Sequence, residues 1–389
     1  MRTPAKSVRP FAAACLAVFG AACVGEKRTA EASAIRIGAP LTLSGPVQPY
    51  GEDNRRGLEL AAEEINARGG INGRRLDMQY VDDAGDGSLA VSKVRGFAAD
   101  TAVLAIVGGT RTNVAQEIAK LTPASRIAFV SVGSTGVWQG EFPEGVYRST
   151  RTDKSLVRPL LSFARDSLKA KRVAIVSASD DAWSASLTPV YSSESADLGM
   201  EIVASVSENK GELDASAKLQ RVVASRPDVV VINLPATLAL PIANRLSKLG
   251  LSQVPFLGTA AFSTPATWKL SDSTVLDRVV LAEQYYPASP RAATVAFVKA
   301  YRAKYGEDAP PYAAYAYDGL QLLAAACGRL PVCTRETLMA EMGRSTDLDG
   351  VLGKLTYRGP GDAVKPIYLL RIRGGSYQLA MEVVGAGAP

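Results

Sequence analysis

Three short loops carry the residues best suited to holding a ligand. They are SGPVQPYGED (Ser44–Asp53) around Tyr50, GGTRTN (Gly108–Asn113) with Thr110, Arg111 and Thr112, and SVGSTG (Ser131–Gly136) with Gly133, Ser134 and Thr135. Each follows a strand-like apolar run and precedes a helical pattern. At such junctions the first helical N–H groups lack intrahelical partners, and the helix dipole favours an anion. Glycine lets the backbone approach a ligand, and hydroxyls add directed hydrogen bonds. Ser and Thr also cap helices, and here capping and binding coincide. Arg111 adds a planar fork able to take a further carboxylate bidentately; the alternatives are a solvated guanidinium or a pair with Asp83 or Asp86.

Other chemistry is excluded by composition. The chain contains no histidine, which removes Ser-His-Asp and Cys-His catalysis and most zinc and iron sites. It has no Gly-rich dinucleotide loop, Walker loop or nucleophile elbow, so an enzyme is not expected. The DDAGDG segment fails as a calcium loop, because Ala84 and Lys93 stand where oxygen ligands belong. No cofactor and no metal are expected.

The elements that must position these loops are readable locally. In Tyr50–Asp86, Leu58, Ala61, Ala62 and Ile65 recur at helical spacing, opposite Glu59, Glu63, Glu64 and Arg68. Gly69-Gly70 ends that helix, with Ile71 as the accompanying apolar contact. Asn72-Gly73 makes a tight turn into Leu76, Met78 and Tyr80, which alternate as a strand does. Strand-like runs follow at Val103–Gly109, Ile127–Gly133, Arg172–Ser179, Met200–Val206 and Asp228–Leu234, with helical patterns between them. Apolar on both faces, they read as parallel strands buried between helix layers. At 389 residues, with 47% apolar and 21% charged content, an ordinary globular chain of two domains is expected.

The amino terminus has a basic stretch (Arg2, Lys6, Arg9) and a short apolar run from Phe11, which reads as an export signal over residues 1–22. It ends Gly20-Ala21-Ala22-Cys23, which looks like a lipobox with Gly20 in place of the usual Leu. Cys23 would then be acylated and tether an otherwise soluble chain, with plain secretion as the alternative. Without residues 1–22 the balance is 41 basic against 38 acidic residues, so the net charge falls from +6 to +3. No basic run with interleaved aromatics suggests nucleic acid as a partner. Cys327 and Cys333 flank a Gly-Arg-Leu-Pro turn and are expected to form a local disulfide outside the cell, or else to remain buried thiols.

Taken in order, Tyr50–Asp86 resembles the opening of the type I periplasmic binding proteins of the leucine/isoleucine/valine-binding class, the receptors of ABC importers. The likeness continues through VLAIVGGTRTNVA, IAFVSVGSTG, VYRSTRTD, RVAIVSASDD, PDVVVINLP, FVKAYRAKYGEDAPPYAAYAYDGLQLL and GVLGKLTY. It implies an α/β fold of two doubly wound parallel-sheet lobes joined by a three-crossover hinge. After a linker over 23–34, lobe 1 would combine 35–152 and 284–351, and lobe 2 would combine 153–283 and 352–384. The crossings would fall near Thr152–Asp153, Ala282–Gln284 and Val351–Lys354.

The resemblance also implies site residues. Thr112, Gly133, Ser134 and Thr135 would grip a ligand carboxylate, and Tyr312 would face the pocket, with Tyr315 and Tyr317 packing or at its rim. The position of an acid that recognises an α-ammonium falls on Ala260, and aromatic positions fall near Ala182–Trp183 and on Pro235. An unpaired ammonium in a closed cleft is costly, so Asp180, Asp181 or Glu283 would have to substitute if the ligand is an amino acid. Arg111 stands where the family has a small residue, and the family's disulfide is absent because Gly85 and Arg111 occupy its positions. The implied function is an extracytoplasmic receptor that delivers a small carboxylate-bearing molecule to ABC permease subunits: an amino-acid-like, aromatic or dicarboxylic acid. A sensor module of the same fold is the alternative. Contact with the membrane would run only through the amino-terminal lipid.

Overall fold

The computed structural model describes residues 34–208, 216–344, 348–355, 361–362 and 365–383; the expected export signal, Cys23 and the rest of the expected linker to residue 33 lie outside them. The Val- and Ile-rich runs form strands buried on both faces, as their lack of a polar side requires. The chain opens with β1 (Ile35–Leu41), α1 (Gln48–Ala67), β2 (Leu76–Asp82), α2 (Gly87–Ala99), β3 (Val103–Gly108), α3 (Thr112–Ala119), the single turn α4 (Thr122–Ser125), β4 (Ala128–Ser131) and β5 (Val146–Arg148). It continues through α5 (Lys154–Ser167), β6 (Arg172–Ala178), α6 (Ala182–Asp197), β7 (Glu201–Glu208), α7 (Ser216–Ala224), β8 (Val229–Asn233), α8 (Ala236–Lys248), β9 (Phe256–Gly258), α9 (Ser273–Leu276) and β10 (Val279–Glu283). Then come α10 (Ala292–Tyr305), α11 (Pro311–Gly328), α12 (Arg335–Met342), the short strands β11 (Leu348–Gly350), β12 (Gly353–Leu355) and β13 (Gly361–Asp362), and the hairpin β14 (Ile367–Arg373) and β15 (Ser376–Val383).

These strands make two large sheets, ordered β13-β5-β4-β3-β1-β2 and β15-β14-β10-β9-β8-β6-β7. The first sheet is parallel throughout; in the second, β14 alone runs antiparallel to its neighbours, β10 and β15. Helices cover both faces of each. Leu58, Ala61 and Ile65 of α1 pack with Leu320 and Leu323 of α11 on one face of the first sheet, and Val94, Val114 and Ile118 line the other. Around the second sheet, Leu240 and Leu246 lie in one core and Leu156, Leu160 and Leu187 in the other.

The α1–β2 unit forms for the local reasons read above. The N–H of Gly70 closes onto the Ile65 carbonyl at 2.9 Å, and Gly69 and Gly70 both have positive φ. Asn72 (φ 51°) and Gly73 (φ 78°) form the two-residue turn whose flanking residues, Ile71 and Arg74, exchange backbone hydrogen bonds. Ile71 is buried against the helix. A bond between Cys327 and Cys333, whose Cα atoms are 5.3 Å apart, ties the end of α11 to the loop before α12.

The chain passes from the first sheet to the second between β5 and α5, returns after β10, and passes over again between β13 and β14. The last crossing corrects the expected one at Val351–Lys354. Leu355 sits in the core of the first sheet, and Gly361–Asp362 pairs with Tyr147–Arg148 of β5. The Asp318 carboxylate on α11 accepts the N–H groups of Val351 and Leu352, both at 2.9 Å, and holds this stretch to the first lobe. Lobe 1 therefore extends to Asp362.

Helix α1 can approach α11 closely because Gly57 has no side chain. A Cβ there would stand 2.1 Å from the Ala313 carbonyl oxygen. Gly57→Ala is thus expected to lower the midpoint of thermal unfolding: forcing the helices apart costs about 1–3 kcal/mol, more than the roughly 1 kcal/mol that alanine gains in helix propensity. An unchanged or raised midpoint would contradict this packing.

Candidate functional site

The strand orders place the site. In the first sheet β1 lies between β2 and β3, and in the second β6 lies between β7 and β8. At these two switch points, connections leave to opposite sides and open a crevice beyond the strand carboxyl ends. The loops and helix starts after β1 and β3 supply Val47, Tyr50, Thr110, Arg111, Thr112 and Asn113; those after β6 and β8 supply Asp181, Trp183 and Pro235. With Gly133 and Thr135 after β4, Ala260 after β9 and Tyr312 at the start of α11, they line one cleft between the lobes.

On the lobe 1 wall, α3 begins without a side-chain cap, since the residue before it is Arg111, whose guanidinium has no acceptor. Its first N–H groups therefore meet the cleft unpaired, beside the Thr112 hydroxyl. That hydroxyl oxygen accepts the Gly136 N–H at 3.2 Å and the Ser134 hydroxyl at 3.3 Å. Gly133 packs on the neighbouring loop so closely that a Cβ would lie 2.5 Å from the Thr110 carbonyl oxygen. The 133–136 loop is braced from behind by Arg148, a fully buried residue whose Nη1 donates to the Gly136 carbonyl at 2.7 Å. Thr150 donates to the Ser134 carbonyl, also at 2.7 Å. The Arg148 guanidinium lies over the Trp138 and Phe142 rings, and Trp138 donates its indole N–H to Ser134 Oγ at 2.8 Å. Ser134 therefore organises this loop from beneath and is not among the residues that line the cleft, where it was expected.

The lobe 2 wall meets it through polar contacts that span the cleft. Arg111 Nη2 donates to Asp181 Oδ2 at 2.6 Å. The N–H of Ala236, first residue of α8, donates to the Tyr50 hydroxyl at 2.8 Å, and the N–H of Val137 donates to Ser186 Oγ at 3.0 Å. Burial holds the Tyr50 hydroxyl protonated, raising its pKa well above the ordinary tyrosine range against the opposing effect of the Ala236 N–H. Its ring packs on Tyr312 at 4.6 Å between centroids. The partner of Arg111 is thus neither Asp83 nor Asp86 but the capping aspartate of α6, which sequence spacing does not reveal.

Behind both walls lies Asp153, at the first crossing. Its Oδ2 accepts the Thr135 hydroxyl (3.0 Å) from lobe 1, and the Trp183 indole N–H (2.9 Å) and Thr259 hydroxyl (2.8 Å) from lobe 2. Burial raises its pKa to about 6 against the opposing effect of these donors. Glu283, expected in the cleft, is instead turned into the protein at the second crossing. It accepts the Ser263 and Tyr315 hydroxyls and the Gln284 N–H, and burial raises its pKa to about 7. Tyr315 is accordingly a support for Glu283. Gln284 and Arg151 exchange hydrogen bonds at 2.7 and 3.1 Å, joining the first two crossings. Arg151 donates to the Lys365 carbonyl, and Lys365 donates to that of Ser149, which adds the third.

The expected residues Tyr50, Thr110, Arg111, Thr112, Gly133, Thr135, Trp183, Pro235, Ala260 and Tyr312 meet in one cleft, while Ser134 and Glu283 stand behind it. Val47 and Asn113 also line it without having been singled out. The supporting residues Asp153 and Arg148 both lie in VYRSTRTD, where a charged residue in an otherwise buried run after a strand was the available signal. The arrangement suits non-covalent capture: unpaired amides and hydroxyls on one wall, and aromatic and apolar surfaces around them.

A family model for periplasmic binding proteins matches residues 34–376. Among curated relatives, a Leu/Ile/Val-binding protein homolog of Brucella melitensis is 23% identical, the match covering 90% of this chain and 93% of the relative. Among solved structures, the branched-chain amino-acid transporter substrate-binding protein LivJ of Streptococcus pneumoniae, in complex with isoleucine, superposes with a TM-score of 0.82 at 22% identity, covering 90% of this chain and 98% of LivJ. A solute-binding protein of R. palustris in complex with benzoate superposes at 0.78 with 20% identity, covering 90% and 96%. The last two likenesses are of fold. These relatives are solute-binding proteins, not enzymes.

Asp153 and Glu283 both bind protons more tightly in the folded protein than in the unfolded chain, where carboxyl groups titrate at about pH 4. Their contribution to stability is complete below about pH 4 and is lost as pH rises through about 6–7. The thermal midpoint should therefore fall between pH 5 and pH 8, and Glu283→Gln should flatten that slope. A variant with the slope of the parent would contradict the assignment.

Proposed function

The chain is a member of the periplasmic binding protein family, of the branched-chain amino-acid type, and on that premise we propose that it captures a small carboxylate-bearing molecule between its lobes and delivers it to an ABC permease. The observation that carries this reading is the uncapped start of α3, with the Thr112 and Thr135 hydroxyls beside it on the cleft wall. Unpaired amides at the positive end of a helix dipole suit one carboxylate. The isoleucine and benzoate of the two structural neighbours share that single group and little else.

The rest of the cleft narrows the class to amino-acid-like or aromatic acids. Tyr50, Trp183, Pro235 and Tyr312 offer apolar and aromatic surface to a ligand body. For an amino acid, Asp153 supplies the negative charge that position 260 lacks, because Thr135, Trp183 and the Ala260 backbone of the cleft wall all bond to it. Closure around the ligand shifts an open–closed equilibrium, so affinity reflects both the contacts and the closure. The three linked crossings form the hinge for this movement.

An extracytoplasmic location follows from the family. We extend the proposal to removal of residues 1–22 and acylation of Cys23, which the mass of the mature amino-terminal peptide checks.

A thermal-shift screen of the purified chain against leucine, isoleucine, benzoate, phthalate and acetamide tests the ligand class. Monocarboxylates are expected to raise the midpoint and acetamide to leave it unchanged. Thr112→Val should weaken the monocarboxylate hit roughly tenfold or more, as loss of a hydrogen bond to a charged group does, and should also lower the unliganded midpoint, because it strands the Gly136 N–H that the Thr112 oxygen accepts; Thr112→Ser, which keeps that oxygen, should retain binding. Stabilisation by acetamide alone, or a Thr112→Val chain with unaltered affinity, would sink the carboxylate reading.

A further inference from the structure

Among the described residues one full ion pair joins the two walls of the cleft, and its acidic member plays two parts. Asp181 Oδ1 accepts the Ser184 N–H at 3.1 Å as the cap of α6, while Oδ2 takes Arg111 Nη2 at 2.6 Å. The Asp181 side chain is 6% exposed and that of Arg111 16%, so both charges are largely withdrawn from water. A withdrawn pair gains little net stability, because desolvation offsets its attraction. Its value must be sought in what it permits and forbids.

Without Asp181 the cleft would present a guanidinium and two helix amino-terminal ends, a combination that draws multiply charged anions. With Asp181 in place the guanidinium is compensated, while the α3 amides beside Thr112 stay open to a single carboxylate. We propose that Asp181 is a specificity-determining residue: by occupying Arg111 across the cleft it clasps the closed lobes and bars ligands that carry a second carboxylate. This rests on the carboxylate-receptor reading above and names the subclass that the site accepts. Arg111 is anchored on its own lobe as well, where Nη1 reaches the Gly85 carbonyl at 3.4 Å. Its fork is therefore aimed at lobe 2 before closure, and the pair breaks and rehydrates when the lobes part.

The test compares the parent chain with Asp181→Asn, which keeps volume and a capping oxygen, with Arg111→Gln, and with the double variant. Binding is measured for benzoate against phthalate and for L-leucine against L-glutamate. Asp181→Asn should gain roughly tenfold or more in affinity for the diacid of the recognised pair, with a smaller change for the monoacid, and Arg111→Gln added to it should abolish the gain. No gain, or a gain that survives in the double variant, overturns the specificity role. Small-angle scattering of the unliganded proteins provides an arm independent of ligand. At 0.1 and at 1 M salt alike the parent chain should stay the more compact, because a largely buried pair is screened little, whereas each single variant and the double variant should be enlarged. Variants that scatter as the parent does at every salt concentration overturn the clasp. A parent that binds none of the four acids contradicts the receptor reading itself, and the scattering still decides the clasp.

Discussion

The Asp153 carboxylate is the interaction on which the rest of the site depends. One buried oxygen collects a hydroxyl from the ligand loop of lobe 1, and an indole N–H and a hydroxyl from lobe 2. A buried charge is tolerated only when it is well hydrogen-bonded, and these three donors come together only when both lobes are in place. The same residue begins the passage between sheets, so the position of the cleft wall and the path of the chain are coupled at one point. Its pKa of about 6 expresses the balance: burial pushes the group towards neutrality and the donors hold it back.

Around this point the crossings reinforce one another. Gln284 and Arg151 tie the first to the second by reciprocal hydrogen bonds, and Lys365 and Ser149 tie the third to the first. The crossings are therefore tied into one unit, while the lobes meet across the cleft through a few contacts with high directional demand: Arg111 to Asp181, Ala236 to Tyr50 and Val137 to Ser186. Few contacts of this kind suit a receptor that must open again. An extensive apolar seam would hold the lobes shut regardless of ligand.

What could be read from the sequence was local. The helix, double glycine and Asn-Gly turn of Tyr50–Asp86 are set by neighbours within a few residues, and the structure reproduces them. The loops around Thr112 and Thr135 were legible because a buried strand followed by a helix start places a loop at the sheet's carboxyl edge. Pairings across long separations were not. Asp181 meets Arg111 from another sheet, 70 residues away, and no spacing rule links them. Glu283 had the right chemistry for the cleft but the hydroxyls of Ser263 and Tyr315 draw it inward. The third crossing was misplaced because Leu355 finds a buried place in the first lobe before the chain leaves it.

The central claim is that a ligand carboxylate sits at the start of α3, between the lobes. A crystal structure of the chain with whichever monocarboxylate stabilises it most tests this directly. The account predicts carboxylate oxygens within hydrogen-bond distance of Thr112 and Thr135 and of the first α3 amides, with Asp181 still on Arg111. A ligand bound instead in the groove of α5 beside Phe163 and Met381, with the interlobe cleft unaltered, would contradict it.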